Sequence, residues 1–340
     1  MTDRQMLRLD ELDLRLIAEL ERDGRQSVSE LAGRLRLSWS TIADRLERLQ
    51  QEKVIRFLTL IDPLAIGHTK QVLVAINAPP SQIDSVAHRL ADIREVYHVS
   101  IHTGRYDIFA SVSLPEAVDL WEFVSSRLAP ITDITRAETM VSLKVAKFSL
   151  SLLANRSIVA GRSEPLQRGL DDLDYQLLRQ LRASPRSAYT SLAASAGCSK
   201  ATARRRIERL IDDQVLQVIA VADPIRLGYT IRANIGLGVR PGMIDQAAFT
   251  LAASPDTHHV VITTGSFDLL FTTFLKTQED LSRFVREYLG TVPGVVSHEV
   301  MVLMKVTKDN LGADWGFSAQ SSAAHPACQA GDECNKTGSK

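Results

Sequence analysis

The chain repeats itself. Displaced by 161 positions, Leu9 falls on Leu170, and LDELDLRLIAEL lies over LDDLDYQLLRQL. Arg25 then meets Arg186, RLERL at 45–49 meets RIERL at 206–210, and DPLAIG at 62–67 meets DPIRLG at 223–228. TGRYD at 103–107 meets TGSFD at 264–268, and Lys144 meets Lys305. The register holds without a gap over about 140 residues. Solenoid repeats recur every ~20–50 residues, so this is one structural unit present twice.

Within each unit the front half is helical. Leu9, Leu12, Leu16 and Leu20 recur at helical spacing, Ser27 is positioned to cap a second helix through Leu35, and Ser38 a third with the stripe Ile42, Leu46, Leu49. The second copy repeats this with Leu170, Leu173, Leu177 and Leu181, then Leu192 to Ala196, then Ser199 before Ala203, Ile207 and Leu210. Three helices with a tight turn before the last describe a helix-turn-helix, whose third helix enters a DNA major groove. A small helical bundle without a ligand has the same pattern.

The third helices carry the candidate DNA contacts. With Ala203, Ile207 and Leu210 inward, 100° per residue turns Ala201, Arg205 and Asp212 outward, flanked by Arg204 and Arg209. Ser199, Lys200 and Thr202 lie at the helix start, and Arg206 sits nearer the core, where packing competes with a groove-edge contact. In the first copy the corresponding set is Ser38, Ser40, Thr41, Asp44, Arg45 and Arg48. Residues 199–209 hold five basic side chains against Glu208, whereas on 38–48 Arg45 and Arg48 cancel Asp44 and Glu47. Phosphate binding draws on cationic charge, so the second copy is expected to dominate.

Behind each helical front comes a β-α-β-β-α-β order. VIRFLTLIDP and VLQVIAVADP leave the heads as strands, and helices are expected over 81–90, 115–128, 243–252 and 279–289. The class is α+β. Expected boundaries are a head at 1–53, a β-rich domain at 54–149, a linker at 150–168, a second head at 169–214, a second β-rich domain at 215–308 and a disordered tail at 309–340. The 40 basic and 40 acidic residues leave bulk charge silent about partners. No run reaches the ~18 apolar residues of a membrane span, and the polar N-terminus lacks a signal core. Sparse cysteine (Cys198, Cys328, Cys334) fits a reducing cytoplasm.

Four motifs in fixed order, twice over, resemble the leucine- and asparagine-responsive (Lrp/AsnC) regulators. They are LDELD, SWSTIADRLERLQQEKVI, DPLAIG and TGRYDIF, then LDDLD, SKATARRRIERLIDDQVL, DPIRLG and TGSFDLL. The resemblance implies winged-helix-like heads, each followed by a ferredoxin-like (ACT-like) sensor domain, in a transcriptional regulator that binds double-stranded DNA and an amino acid or related effector. Family members are commonly single units that form homo-oligomers, a pattern from which a double-unit chain departs. The resemblance further places the effector at the T-G-x-[YF]-D turn: Thr103, Gly104, Arg105, Tyr106 and Asp107, with Thr139 on the last strand, and Thr264, Gly265, Ser266, Phe267 and Asp268. Backbone N–H groups there suit a carboxylate and the aspartates an ammonium; the competing reading is that glycine and aspartate merely build the turn. Val300 replaces Thr139 in the second copy, so the pockets are expected to differ.

No cofactor or metal is expected. Tetrapyrrole decarboxylases resemble the same family and use histidines, which makes His98, His102 and His259 an alternative to weigh. On one strand, however, His98 and His102 stand about 13 Å apart and cannot share a metal. The tail offers His325, Cys328 and Cys334 in a Ser/Ala/Gly-rich context that reads as disorder. Neither a P-loop nor a nucleophile elbow is present, so a non-enzyme is expected.

Overall fold

The computed structural model describes residues 9–154 and 169–310. The tail residues weighed above, and 155–168 of the linker, lie outside the described residues. The first head consists of α1 (Glu11–Arg22), α2 (Val28–Leu35) and α3 (Trp39–Gln51), followed by β1 (Ile55–Ile61). Asp10 and Ser27 each close a capping box on α1 and α2, and Ser38 caps α3. Such caps satisfy backbone donors that a helix start leaves open. Leu16, Ile17, Leu20, Ile42 and Leu49 are fully buried between the helices, each contributing about 1.5–3 kcal/mol relative to exposure.

Strands β2 (Lys70–Asn77), β3 (Val96–His102), β4 (Ile108–Leu114) and β5 (Arg136–Phe148) form the first sensor sheet, with α4 (Ile83–Ala91) and α5 (Leu120–Phe123) on one face. The chain then repeats: α6 (Asp172–Ala183), α7 (Tyr189–Ser195), α8 (Lys200–Asp212), β6 (Leu216–Ala222), β7 (Ile231–Val239), α9 (Ile244–Ala253), β8 (Thr257–Thr263), β9 (Leu269–Leu275), α10 (Gln278–Arg283) and β10 (Val295–Asp309). The helix expected from Pro115 starts only at Leu120, because the Asp119 carboxylate caps it by accepting from the Trp121 N–H. Its last part, Val124–Leu128, winds as a π-turn.

The two units are interlocked at both levels. β1 pairs antiparallel with β6, Ile55 opposite Ala222 and Ile61 opposite Leu216. Ala220 and Ala222 join the core of the first head, while Ile61 joins that of the second. Each exit strand therefore completes the opposite head. Gly24 permits this approach: a Cβ there would stand 2.8 Å from the Ile219 carbonyl carbon.

Below the heads the sensor sheets close on each other. The barrel order is β10-β3-β4-β2-β5-β8-β9-β7, closed by β10 against β7. The joints between units, β3 with β10 and β5 with β8, carry register shifts that bend the strands. Tyr106, Phe109, Met140, Phe267, Leu270 and Met301 pack between the sheets, so the apolar faces of the sensor strands are covered within one chain.

Candidate functional site

The recognition helices begin on their caps. Ser38 Oγ accepts from the Thr41 N–H and Ser199 Oγ from the Thr202 N–H, both at 3.1 Å. Beyond the caps, Ser40 and Asp44 on α3 are exposed, as are Lys200, Arg204 and Arg205 on α8. Arg204 Nε donates to Glu208 Oε1 at 2.7 Å. Neither Lys200 nor Arg205 has an ion-pair partner among the described residues.

Four arginines of the candidate DNA set are paired with acids at the first helix of their own head. Arg45 Nη1 donates to Asp10 Oδ1 at 2.8 Å and Asp13 Oδ1 at 2.7 Å, and Arg48 Nη2 to Asp13 Oδ1 at 2.6 Å. In the second head, Arg206 Nη1 donates to Asp171 Oδ2 at 2.5 Å and Asp174 Oδ1 at 3.1 Å, and Arg209 Nη2 to Asp174 Oδ1 at 3.1 Å. Asp13 and Asp174 are 1% and 0% exposed. A carboxylate so enclosed needs its cations, so these arginines bolt the third helix to the first. The feature that sequence reasoning missed is Trp39, 60% exposed at the position Lys200 takes in the other head. Its signal was a large apolar residue on a polar face.

The two sensor turns sit at the joints of the barrel, each docked on the last strand of the other unit. The Thr103 N–H donates to the Val302 carbonyl at 2.9 Å, and that of Thr264 to Val141 at 3.1 Å. Gly104 and Gly265 adopt φ of 103° and 95°, which favours glycine. Thr103, Gly104 and Arg105 are exposed, as are Thr264, Gly265 and Ser266.

Several of the candidate effector residues are engaged by the fold itself. The aspartates build backbone: Asp107 Oδ2 accepts from the Ala78 N–H at 3.1 Å and Asn77 Nδ2 at 3.2 Å, and Asp268 Oδ2 from the Val239 N–H at 2.8 Å. Phe267 belongs to the apolar interior, close enough to Gly236 that a Cβ there would lie 2.5 Å from its ring. Tyr106 is equally buried, and only its hydroxyl reaches a polar group. Neighbours on a strand face opposite ways, and on either side of Thr139 it is Glu138 and Met140 that approach Gly265.

Glu138 is the centre of the second turn. Its Oε1 accepts from the Ser266 N–H at 2.7 Å, and its Oε2 from Ser266 Oγ at 3.0 Å and the Tyr106 hydroxyl at 2.5 Å. Burial alone would raise this carboxyl, but the hydrogen bonds from Tyr106 and Ser266 outweigh it and hold the group below the usual range. Its counterpart Glu299 behaves differently. Oε1 accepts from Arg105 Nη1 at 3.2 Å, and Oε2 is buried without a partner.

The histidines His98, His102 and His258 are buried among the strands. No group of three or more His, Cys, Asp or Glu among the described residues is placed to hold a metal ion. No described helix is long and apolar enough to cross a membrane.

Paired helix-turn-helix heads on a closed double sensor barrel define a helix-turn-helix regulator architecture, and comparison with known proteins gives the family. Residues 9–56 match the winged helix-turn-helix DNA-binding model, 170–211 the AsnC-type helix-turn-helix domain, and 71–152 and 232–312 the Lrp/AsnC ligand binding domain. An uncharacterized HTH-type transcriptional regulator of Pyrococcus abyssi is 36% identical over 143 residues, 42% of this chain and 90% of that one. The HTH-type transcriptional regulator FL11 of Pyrococcus horikoshii is 28% identical over 141 residues, 41% of this chain and 93% of its own length. The chain belongs to the Lrp/AsnC family, as its motifs led one to expect, and each of these relatives matches about one of its two units. Among solved structures, the siroheme decarboxylase NirDL is similar over 88% of this chain and 92% of its own, with a TM-score of 0.63 and 15% identity. At that identity the likeness is one of fold.

Proposed function

We propose that the chain is a sequence-specific DNA-binding transcriptional regulator in which the second head makes the dominant contact and the sensor turns receive a small carboxylate-bearing effector. The observation that carries the first part is the exposed cationic start of α8, where Lys200 and Arg205 have no ion-pair partner among the described residues. Lys200, Arg204 and Arg205 are exposed where the first head presents Trp39, Ala43 and Asp44. Arginine and lysine reach guanine edges and phosphates, whereas Asp44 repels phosphate and restricts α3 to base donors such as a cytosine amino group. The two heads therefore read different half-sites, with Trp39 offering apolar contact.

The second part rests on the exposed glycine turns at the barrel joints. A ligand there touches both units at once and biases how the sheets, and through β1 and β6 the heads, sit together. A cytoplasmic setting and further assembly of chains belong to this reading; Leu143 and Met304, 63% and 67% exposed at repeat-equivalent sites, offer apolar contact for assembly. The regulator relatives favour this over catalysis, and no reaction is assigned to the buried histidines.

The test is selection of duplexes from a random pool, followed by affinity measurements across salt concentrations. Arg205→Ala and Lys200→Ala should each weaken binding and lower the salt slope by about one. Failure to enrich any duplex, or equal losses from Ser40→Ala, would overturn the assignment.

A further inference from the structure

We infer that the two sensor turns are unequal by construction: Glu138 is a built-in ligand of the 264–268 turn, so the chain takes one effector, held at the 103–107 turn between Arg105 and Glu299. This rests on the effector reading above and makes it specific. A ligand carboxylate at a glycine turn needs backbone and hydroxyl donors about 3 Å away. At the second turn the Ser266 N–H, Ser266 Oγ and the Tyr106 hydroxyl supply them, and all three already serve Glu138. An effector there must displace a tethered carboxylate whose effective concentration exceeds that of a free metabolite.

The first turn has the opposite arrangement. Arg105 stands where the second turn has Ser266, and its guanidinium lies over the Tyr106 and Phe267 rings at 5.5 and 5.8 Å. Glu299 reaches that guanidinium through one oxygen, and its other oxygen is enclosed with no hydrogen-bond partner. Among the described residues no side chain accepts from the Arg105 backbone N–H. An α-amino acid supplies both missing groups: its carboxylate bridges the Arg105 guanidinium and turn N–H, and its ammonium takes the second oxygen of Glu299. A simple acid would leave Glu299 unpaired beside a new negative charge, and a simple amine would compete with Arg105.

Two measurements on the full chain test this. Glu138→Ala vacates the second turn, so sodium acetate should raise the melting temperature of that variant saturably and leave the parent unchanged. A panel of the twenty L-amino acids, with calorimetry on the strongest binder, should give one equivalent per parent chain and two per Glu138→Ala chain. Glu138→Gln keeps the turn covered and should stay at one, while Arg105→Ser should abolish parent binding. Two equivalents in the parent, or an acetate response equal in parent and variant, overturns the inference while leaving the effector reading intact. Acetate rescue with no amino acid binding the parent supports the role of Glu138 and sinks both the effector reading and the amino-acid assignment. If Glu138→Ala folds in neither buffer nor acetate, the parent stoichiometry decides.

Discussion

Arg25 and Arg186, equivalent residues of the two repeats, each clasp the opposite head. Arg25 donates to the carbonyls of Pro185 and Ser187 at 2.9 and 3.0 Å, and Arg186 to those of Gly24 and Gln26 at 3.0 and 2.9 Å. Their guanidinium groups also cover Tyr189 and Phe57, at 4.9 and 4.6 Å from the ring centroids. Arg25→Ala and Arg186→Ala should each cost about 1–3 kcal/mol, because charged hydrogen bonds to part-buried carbonyls are lost. Urea denaturation of the single and double variants measures this. A double loss well below the sum of the singles would show that the two clasps hold one shared interface. Unchanged midpoints would mean that the β1–β6 ribbon alone joins the heads.

Arginines that look alike in sequence should separate by experiment. Arg205 is exposed without a described partner, so Arg205→Ala should leave the melting temperature unchanged and weaken DNA binding. Arg206→Ala strips Asp174, a 0% exposed carboxylate, of a partner. It should destabilise the second head by roughly 1–3 kcal/mol and affect DNA mainly through that loss. Arg206→Ala with native stability and weakened binding would return it to the DNA contacts.

The family and the α+β order were legible because both depend on local spacing: cap residues, heptad-like stripes and the glycine turns keep the same offset in both copies. Strand exchange was not legible. Leu216–Ala222 completes the first head as readily as its own in any hydrophobicity pattern, and only Gly24 hints that a backbone passes close by. At the turn, sequence reading stopped one residue short of Glu138 by following the Thr139-to-Val300 difference. The residue pair that separates the copies is Arg105 against Ser266, while Glu138 and Glu299 are identical and differ only in what they face. Charge counts could not separate Arg45, Arg48, Arg206 and Arg209 from Arg205, since a wheel shows direction and not the acids waiting at α1 and α6.

Stability should fall as the pH drops from neutral towards 5. Burial lowers His102 and His259 to about 4 and His258 to about 3, with the Lys147 and Arg232 charges adding to the effect on His258. An unfolded histidine titrates near 6.5, so between ~6.5 and ~4 the unfolded chain binds protons that the folded chain refuses. The stabilisation is complete above that window and is lost as pH falls through it. At pH 5 each histidine should cost on the order of 2 kcal/mol. Denaturant midpoints at pH 7.5 and 5.0 measure the effect, and His259→Gln should flatten the slope by about one proton. Midpoints that do not move between these pH values would refute the account.

The path from sensor to head should run through Glu21. This residue of α1 is 0% exposed and accepts from Ser151 Oγ at 2.7 Å and from the N–H groups of Leu152, Leu153 and Ala154 at 3.1, 2.9 and 2.9 Å. The segment following β5 is thereby fastened to the first head, so a shift of that strand at the barrel joint is delivered to α1. Glu21→Gln keeps the shape but replaces one accepting oxygen by a donor facing backbone N–H groups, at a cost of about 1–3 kcal/mol. Typical couplings between sites amount to about 1–3 kcal/mol, equivalent to roughly 5–150-fold in affinity. Loosening this joint should therefore remove most of the change in DNA affinity that an amino acid produces, while ligand-free DNA binding stays close to that of the parent. The measurement is DNA affinity with and without the amino acid found by calorimetry, for parent and variant. An undiminished response in a Glu21→Gln protein with a loosened 151–154 segment, read by hydrogen exchange of those amides, would place the coupling in the β1–β6 ribbon instead.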